Sequence, residues 1–278
     1  MKCEICYEGD IKKKFLIDDV AILKCLSCGY EFIDPSPSSE ELSAGYNANE
    51  LSSVHYYLEN LDSERIMFLN RYKKIERFIP KSGVLLDVGC NIGTCSDIFN
   101  KHGWEIYALD VNKSAIDHIA NNSFKSFHSF FENFETNVKF DLILMNDVIE
   151  HFHKLLPPMK KANELLKEGG FLFLSTPLTD SFISRLSGSF WLHYKPDEHL
   201  RYFNKKNLKL LLSHFGLEVV KTFKVTRYRN LYVIFDKLGT YSTLPIKFID
   251  KLHLGPFLKR INLRLKLGDE LCVLAVKK

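Results

Sequence analysis

Four cysteines near the start of the chain fall as Cys3-x2-Cys6 and Cys25-x2-Cys28, with 18 residues between the pairs. Two such turns suit a tetrahedral zinc site: each presents two sulfurs on one side, and Gly29 lets the second turn close tightly. With four protein thiolates the ion has no open position, so the expected Zn2+ is structural. Its binding energy, on the order of 10–16 kcal/mol, is enough to fold a short segment that lacks a core of its own. Neither pair opens a helix after a strand, which argues against a redox dithiol.

A second group lies in VLLDVGCNIGTCSDIF, residues 84–99, which reads as a strand, a glycine turn and a helix. A dinucleotide site would read G-x-G-x-x-G there and set a pyrophosphate on the helix start. Here the strand ends in Asp87, the glycines are Gly89 and Gly93, and Asn91 stands between them. Asn tolerates positive φ, so the turn can still form. A carboxylate beside the turn repels a pyrophosphate and attracts an ammonium. Asp110 ends the next strand in ALDV, where a carboxylate can accept two ribose hydroxyls. The ligand so described has a cationic amino-acid end, a ribose and no phosphate. S-adenosylmethionine fits that description.

The elements around these residues alternate. Strands are predicted at 84–90, 105–111, 124–128, 140–146 and 171–177, with helices at 93–101, 113–121 and 155–167. A helix at 204–215 and strands at 217–225 and 271–277 follow. Near-continuous apolar strands alternating with helices imply a parallel sheet covered on both faces. The expected domains are a zinc-knuckle module (1–40), a helical linker (41–80, starting after Ser38, Glu40 and Glu41) and an α/β domain (81–278). Within the last, 178–203 is aromatic and His-rich and reads as a lid over an acceptor, and 226–268 reads as a basic helical insertion.

The 278 residues, 46% hydrophobic with 22 phenylalanines, can fill a real core, and 26% charged residues are ordinary for a soluble globular protein. A net charge of +4 does not by itself indicate a nucleic-acid binder. No apolar run approaches the roughly 18–20 residues that span a bilayer, and MKCEICYEGD lacks the apolar core of a secretory signal. The expected location is the cytoplasm, where cysteines are thiols or metal ligands.

The chain resembles the class I S-adenosylmethionine-dependent methyltransferases through DVGCNIG (87–93), ALD (108–110), FDLILMNDVIEH (140–151) and the pair Gly169-Gly170. CEIC, LKCLSCGYEFIDPSPSSEELSAGY (23–46) and DEHLRYFNKKNLKLLLSHFGLEVV (197–220) are similar to a bacterial subgroup joining a zinc knuckle to such an enzyme, associated with surface-glycan and modified-sugar pathways. The resemblance implies a Rossmann-like, doubly wound, mostly parallel seven-stranded sheet. It also implies roles. Asp87 orders the loop and faces the methionine ammonium, and Gly89, Cys90, Asn91 and Gly93 line methionine and ribose. Asp110 holds the ribose, Val111 flanks the adenine, and Phe130 and Phe131 clasp it. Asn146 and Asp147 border the methyl group.

Residues at the carboxyl ends of the strands are the candidates for chemistry. An oxygen nucleophile needs a base, and His151 has a suitable unperturbed pKa near 6.5. His199 is the second candidate, with Tyr202 as its positioner. Asp147, Glu150 and His151 together could instead ligate Mg2+ or Mn2+, as in the ubiquinone-pathway O-methyltransferases they resemble locally.

From Lys221 to Gly268 eleven Lys or Arg face only Asp236 and Asp250. Such a segment can lie on anionic lipid at the inner face of the membrane, meet an acidic acceptor, or cover the core or a second subunit. Nucleic acid is disfavoured, because stacking platforms are not regularly spaced. The expected activity is O-methylation of a sugar, nucleotide-sugar or glycan precursor with His151 as base. The rivals are an RNA methyltransferase gripping RNA through the zinc module and insertion, and a non-catalytic cofactor-binding scaffold.

Overall fold

The computed structural model describes residues 2–35, 50–232, 255–258 and 261–278. The expected helix start at Ser38, Glu40 and Glu41 and the middle of the 226–268 insertion lie outside the described residues.

The cysteine turns flank three short strands that the sequence pattern did not announce: β1 (Ile11–Ile17), β2 (Val20–Cys25) and β3 (Glu31–Ile33). Two helices follow, α1 (Glu50–Glu59) and α2 (Leu61–Ile75). α2 buries Ser63, Met67, Arg71 and Ile75 at i, i+4 spacing, so one arginine sits on its inner stripe.

From Val84 the alternation is as expected: β4 (Val84–Val88), α3 (Thr94–Lys101), β5 (Glu105–Asp110), α4 (Lys113–Ile119), β6 (Lys125–His128), β7 (Phe140–Asn146), α5 (Leu156–Leu165) and β8 (Leu166–Pro177). Then come α6 (Phe182–Ser187), β9 (Arg201–Tyr202), α7 (Lys205–His214), β10 (Leu217–Lys224), β11 (Arg227–Asn230), α8 (Gly255–Leu258), β12 (Asn262–Leu265) and β13 (Glu270–Lys277).

The main sheet has seven strands in the order β10-β13-β8-β7-β4-β5-β6. The pairs among β4 to β8 are parallel, and β13 runs antiparallel to both of its neighbours. This is the doubly wound, mostly parallel sheet that the strand pattern implied. Leu85 and Leu86 are both fully buried, on opposite faces, in the core clusters that α2, α3 and α4 form on one side and α5 and α7 on the other. Burial of each such side chain contributes about 1.5–3 kcal/mol, which is why these strands read as apolar runs rather than alternations.

The zinc-knuckle strands do not stand apart. β9, from the expected lid, pairs antiparallel with β3 (Glu31 opposite Tyr202, Phe32 opposite Arg201) and completes a four-stranded sheet β1-β2-β3-β9. Ile22 and Ile33 pack with Trp191, Tyr194, Leu200 and Tyr202 in a separate cluster. The 178–203 segment is therefore shared between module and main domain.

The insertion also departs from expectation. Its two ends form the antiparallel ribbon β11–β12; the helical residues described there are Leu231, Tyr232 and α8. The reason is a period of two: Arg227 and Arg229 fall on one side of β11 and reach the buried acids Glu270 and Glu64. Among the described residues, no helix is long and apolar enough to cross a membrane.

Candidate active site

The glycine turn is held from the neighbouring strand. The N–H groups of Gly89 and Cys90 donate to the carbonyl of Leu109 at 2.8 and 3.1 Å. Gly89 has φ +70° and Asn91 φ +47°, and Gly93 caps α3 with φ +72°. A Cβ on Gly89 would stand 2.6 Å from Val148 Cγ2, so this turn requires glycine for both conformation and space.

Asp110 is the clasp of that turn. Its Oδ2 accepts from the Asn91 N–H at 2.7 Å and its Oδ1 from the Asn112 N–H at 2.8 Å. Each oxygen keeps a further lone pair for a ligand hydroxyl. Asp87 is buried, and its Oδ2 accepts from Ser96 Oγ at 2.7 Å. Burial pushes the Asp87 carboxyl up to about 7, with the nearby charge of Asp110 adding to the rise. A cationic ligand group here would relieve both effects.

Across the turn, α2 delivers Arg71, which the sequence reading missed. Its Nη1 donates to Asn146 Oδ1 at 2.6 Å and to Ser175 Oγ at 3.1 Å. Its Nε and Nη2 are buried without a hydrogen-bond partner, although Nη2 lies 3.5 Å from Asp147 Oδ2. Nε and Nη2 form the edge of the guanidinium that grips a carboxylate with two parallel bonds. The signal in the sequence was an arginine four residues from Met67 and from Ile75 on an apolar helix stripe.

Asp147, with φ +54°, directly follows β7. Its Oδ2 lies 3.0 Å from Arg227 Nη2, and its Oδ1 accepts from Ser175 Oγ at 2.6 Å. Burial opposes its ionisation, but Arg227 and Arg71 outweigh this and hold the carboxyl well below the usual range. Arg227 also grips Glu270 through Nε at 2.8 Å, and Glu270 lies 3.3 Å from His193 Nε2. Burial opposes protonation of His193, yet Asp269 and Glu270 raise it to about 9.

Beside this network two histidines meet edge to face, His151 and His199, with ring centroids 4.9 Å apart. Nδ1 of His151 is 2.8 Å from the Glu198 carbonyl, and Nδ1 of His199 is 2.9 Å from the His193 carbonyl. A carbonyl only accepts, so each Nδ1 carries the proton and each Nε2 keeps a free lone pair. Burial lowers both imidazoles below their ordinary value, His199 the further. Glu150 is buried with neither oxygen hydrogen-bonded, and burial, with the charge of Asp147, pushes it up to about 8.

In the N-terminal module the Sγ atoms of Cys3 and Cys28 are 3.7 Å apart and those of Cys6 and Cys25 3.5 Å apart. Four sulfurs at about 2.3 Å from a tetrahedral Zn2+ would be separated by roughly 3.7 Å, so the donor set fits that ion. Burial pushes the Cys3 thiol up to about 11. A cation is what would hold these sulfurs as thiolates.

A family model described as a methyltransferase domain matches residues 57–222. The chain belongs to that family. Its curated relatives include the ubiquinone biosynthesis O-methyltransferases of Pelagibacter ubique (27% identical over 147 residues, 45% of this chain) and Coxiella burnetii (32% over 114 residues, 38%). These matches span 61% and 49% of the relatives' own lengths. Among solved structures, the Burkholderia thailandensis 1,6-didemethyltoxoflavin-N1-methyltransferase, bound to 1,6-didemethyltoxoflavin and S-adenosylhomocysteine, superposes with TM-score 0.59 at 15% identity. It covers 96% of this chain and 99% of its own. A possible histamine N-methyltransferase from Thermotoga maritima gives 0.56 at 16%, covering 85% of this chain and 100% of its own. These likenesses show the fold.

On this methyltransferase fold the expected residues sort as follows. Asp87, Gly89, Cys90, Asn91, Gly93 and Asp110 come together at the glycine turn, with half-buried Val111 following Asp110. Asn146 lies opposite, tied to Arg71. Phe131 is not in the crevice: it packs in the core against Phe152, ring centroids 6.3 Å apart, with the Lys161 ammonium 5.9 Å from its ring. Phe130 remains half-buried at the start of that turn. Tyr202 belongs to the zinc-module cluster, 6.5 Å from the His199 ring, its hydroxyl buried without a partner. The expected cation set of Asp147, Glu150 and His151 is not assembled either, because the arginines occupy Asp147. Glu150, His151 and His199 come together instead, with donor atoms within 4.8 Å of one another.

Proposed function

We propose that the chain is an S-adenosylmethionine-dependent methyltransferase acting on an oxygen of a small hydroxylated acceptor, with a structural Zn2+ on Cys3, Cys6, Cys25 and Cys28. One observation carries the cofactor reading: the raised buried carboxyl of Asp87 lies on β4, and Arg71, reaching from α2, is tied to Asn146 at the end of the adjoining β7 with its Nε and Nη2 making no hydrogen bond. A zwitterionic amino-acid end satisfies both, and Asp110 then faces the ribose. When bound, the cofactor supplies an electrophilic methyl on a sulfonium, leaving as a neutral thioether.

The residues on the acceptor side do the rest. His151, its tautomer fixed by the Glu198 carbonyl, accepts the acceptor's proton at Nε2. A positioned base of this kind contributes roughly 10²–10⁴-fold. Oxygen as the nucleophile is supported by the names of the curated relatives. A sugar, nucleotide-sugar or glycan-precursor acceptor rests on the zinc-knuckle arrangement of the sequence, and a phenol is its rival.

The histidine pair supports a second reading. Two imidazoles with anchored Nδ1 groups, beside a buried carboxylate lacking partners, are also a ligand set for a divalent cation such as Zn2+ or Mn2+. Nε2 of His151 is then a ligand rather than a base.

The test is S-adenosylhomocysteine release from candidate sugars and phenols. Loss in His151→Ala is expected of either reading; full activity with a single Zn2+ per chain, held by the cysteines, supports the base, and a second metal ion per chain required for turnover supports the ligand set. Absence of cofactor binding by calorimetry at millimolar ligand ends the methyltransferase reading.

A further inference from the structure

At the β10 end of the sheet's carboxyl edge lies a cleft of about 340 Å³ that the site above does not use. It is lined by Lys74 of α2, Lys224 at the end of β10, and Arg264 and Lys266 of the β12 side of the ribbon. Among the described residues, no acidic one lines it. None of the four cations has an ion-pair or hydrogen-bond partner among the described residues.

That contrasts with the other face of the same ribbon. Arg227 and Arg229 each grip a buried acid. Arg264 stands opposite Tyr228 in the register, so it falls on the face that Arg227 and Arg229 do not occupy. The charges that an ordinary basic surface would leave to water converge here on one concavity.

The cleft is also built, not merely charged. The Lys74 ammonium sits 4.5 Å from the Phe223 ring centroid, which fixes its direction. Lys224 folds across Gly268, whose φ is +74°: a Cβ there would meet Lys224 Nζ at 2.9 Å and Cδ at 3.2 Å. Thr226, also in the lining, has a hydroxyl without a partner among the described residues. Four exposed cations and a hydroxyl converging on one concavity make an anion site, and lysine and arginine heads match phosphate oxygens.

We infer that this cleft binds a phosphate group carrying two or more negative charges, as in a diphosphate ester. The inference stands whether or not the methyl acceptor is a sugar, because none of its residues belongs to the cofactor or histidine site. The phosphate can come from a soluble ester or from a lipid headgroup, and the test separates them.

Inorganic pyrophosphate is titrated calorimetrically into the zinc-loaded full chain. In parallel, the chain is sedimented with vesicles of equal parts phosphatidylcholine and phosphatidic acid, whose phosphomonoester headgroup takes a second negative charge. Both are repeated with the double variant Lys224→Gln/Arg264→Gln and with Gly268→Ala, and S-adenosylhomocysteine affinity serves as the folding control. Pyrophosphate binding that weakens at least roughly tenfold in the double variant, with the control unchanged, assigns a soluble phosphate ester. Vesicle binding lost to the same extent, without pyrophosphate binding, assigns a headgroup. Gly268→Ala, by displacing the Lys224 ammonium, weakens either in the same direction. Failure to bind both probes, or binding that the double variant leaves intact, overturns the inference.

Discussion

The guanidinium of Arg227 lies 3.0 Å from the carboxylate of Asp147, 80 residues away in sequence. It joins the basic ribbon to the end of β7, where Asp147 also meets Arg71 and Ser175. The insertion is thereby part of the site's wall.

Arg227→Gln removes the guanidinium that Asp147 and Glu270 share, leaving Asp147 to Arg71 and Ser175 and Glu270 to His193. Breaking a largely buried pair costs on the order of 3 kcal/mol. In a chain of this size the melting temperature should fall by about 6–12 °C. Adding Asp147→Asn to that variant should restore part of the loss, since one of the two carboxylate charges is removed. The sign with pH is also fixed. The Asp147 carboxyl is held below its ordinary value, so its contribution is complete above about pH 4 and is lost as pH falls below that. The deficit of Arg227→Gln should therefore shrink in acid. A variant melting with the wild type at neutral pH would show that water, not Arg227, satisfies these carboxylates.

Nε and Nη2 of Arg71 make no hydrogen bond, and in the proposed reading they grip the cofactor carboxylate. Arg71→Lys keeps the charge and loses the fork, so S-adenosylhomocysteine should bind roughly tenfold more weakly, and Arg71→Ala more weakly still. The decarboxylated analogue of S-adenosylhomocysteine is the control. It should bind wild type and Arg71→Lys alike, because it has no carboxylate to grip. Equal losses for both ligands would assign Arg71 to holding Asn146 and Ser175 only.

How far the sequence disclosed this arrangement depends on the range of the interaction. The seven strands were legible because Leu85, Leu86, Ile143 and Leu144 are buried whichever face they take, which leaves an unbroken apolar run. The turn from Asp87 to Gly93 was legible because positive φ restricts residue type. Strands β1 and β2 were not, since IKKKFLI carries three adjacent lysines on a half-exposed ribbon. β9 is two residues long and exists only because β3 offers an edge. Phe131 looked like a ligand contact by position, and only the packing of Phe152 against it shows otherwise. The His151–His199 meeting depends on Leu200 donating its N–H to the Glu150 carbonyl at 2.8 Å, a long-range bond with no local signature.

Asp87 should make cofactor binding release a proton. Its folded-state pKa near 7 lies above the unfolded value of about 3.9, so without ligand the folded chain binds this proton more tightly. The group therefore destabilises the ligand-free fold increasingly as pH rises from about 4 to about 7. An ammonium placed beside it favours the carboxylate and expels the proton. Calorimetry of S-adenosylhomocysteine in buffers of different ionisation enthalpy should show proton release at about pH 6 that fades by about pH 8. Asp87→Asn should lose that release. Identical proton counts in variant and wild type would place the ligand's cation elsewhere.

Zinc should govern the acceptor side without governing the cofactor side. The cysteine turns brace β2 and β3, β3 pairs with β9, and β9 begins two residues after His199. Arg201 extends the link, lying 3.2 Å from Glu4 and donating to the Phe152 carbonyl at 3.2 Å. Among the described residues, Asp87 and Asp110 make no hydrogen bond or ion pair with the module. Metal analysis should find one Zn2+ per chain. Stripping it, or Cys25→Ser, should abolish methyl transfer while S-adenosylhomocysteine affinity changes less than about threefold, since distant sites couple weakly. A second readout comes from Trp191, which packs on Ile22 and Ile33 of the module. In a Trp104→Phe background its emission should shift to the red as the module loosens and water reaches the indole. Zinc-free protein with unchanged Trp191 emission and undiminished turnover would mean that the four-stranded sheet holds His199 in place without its metal.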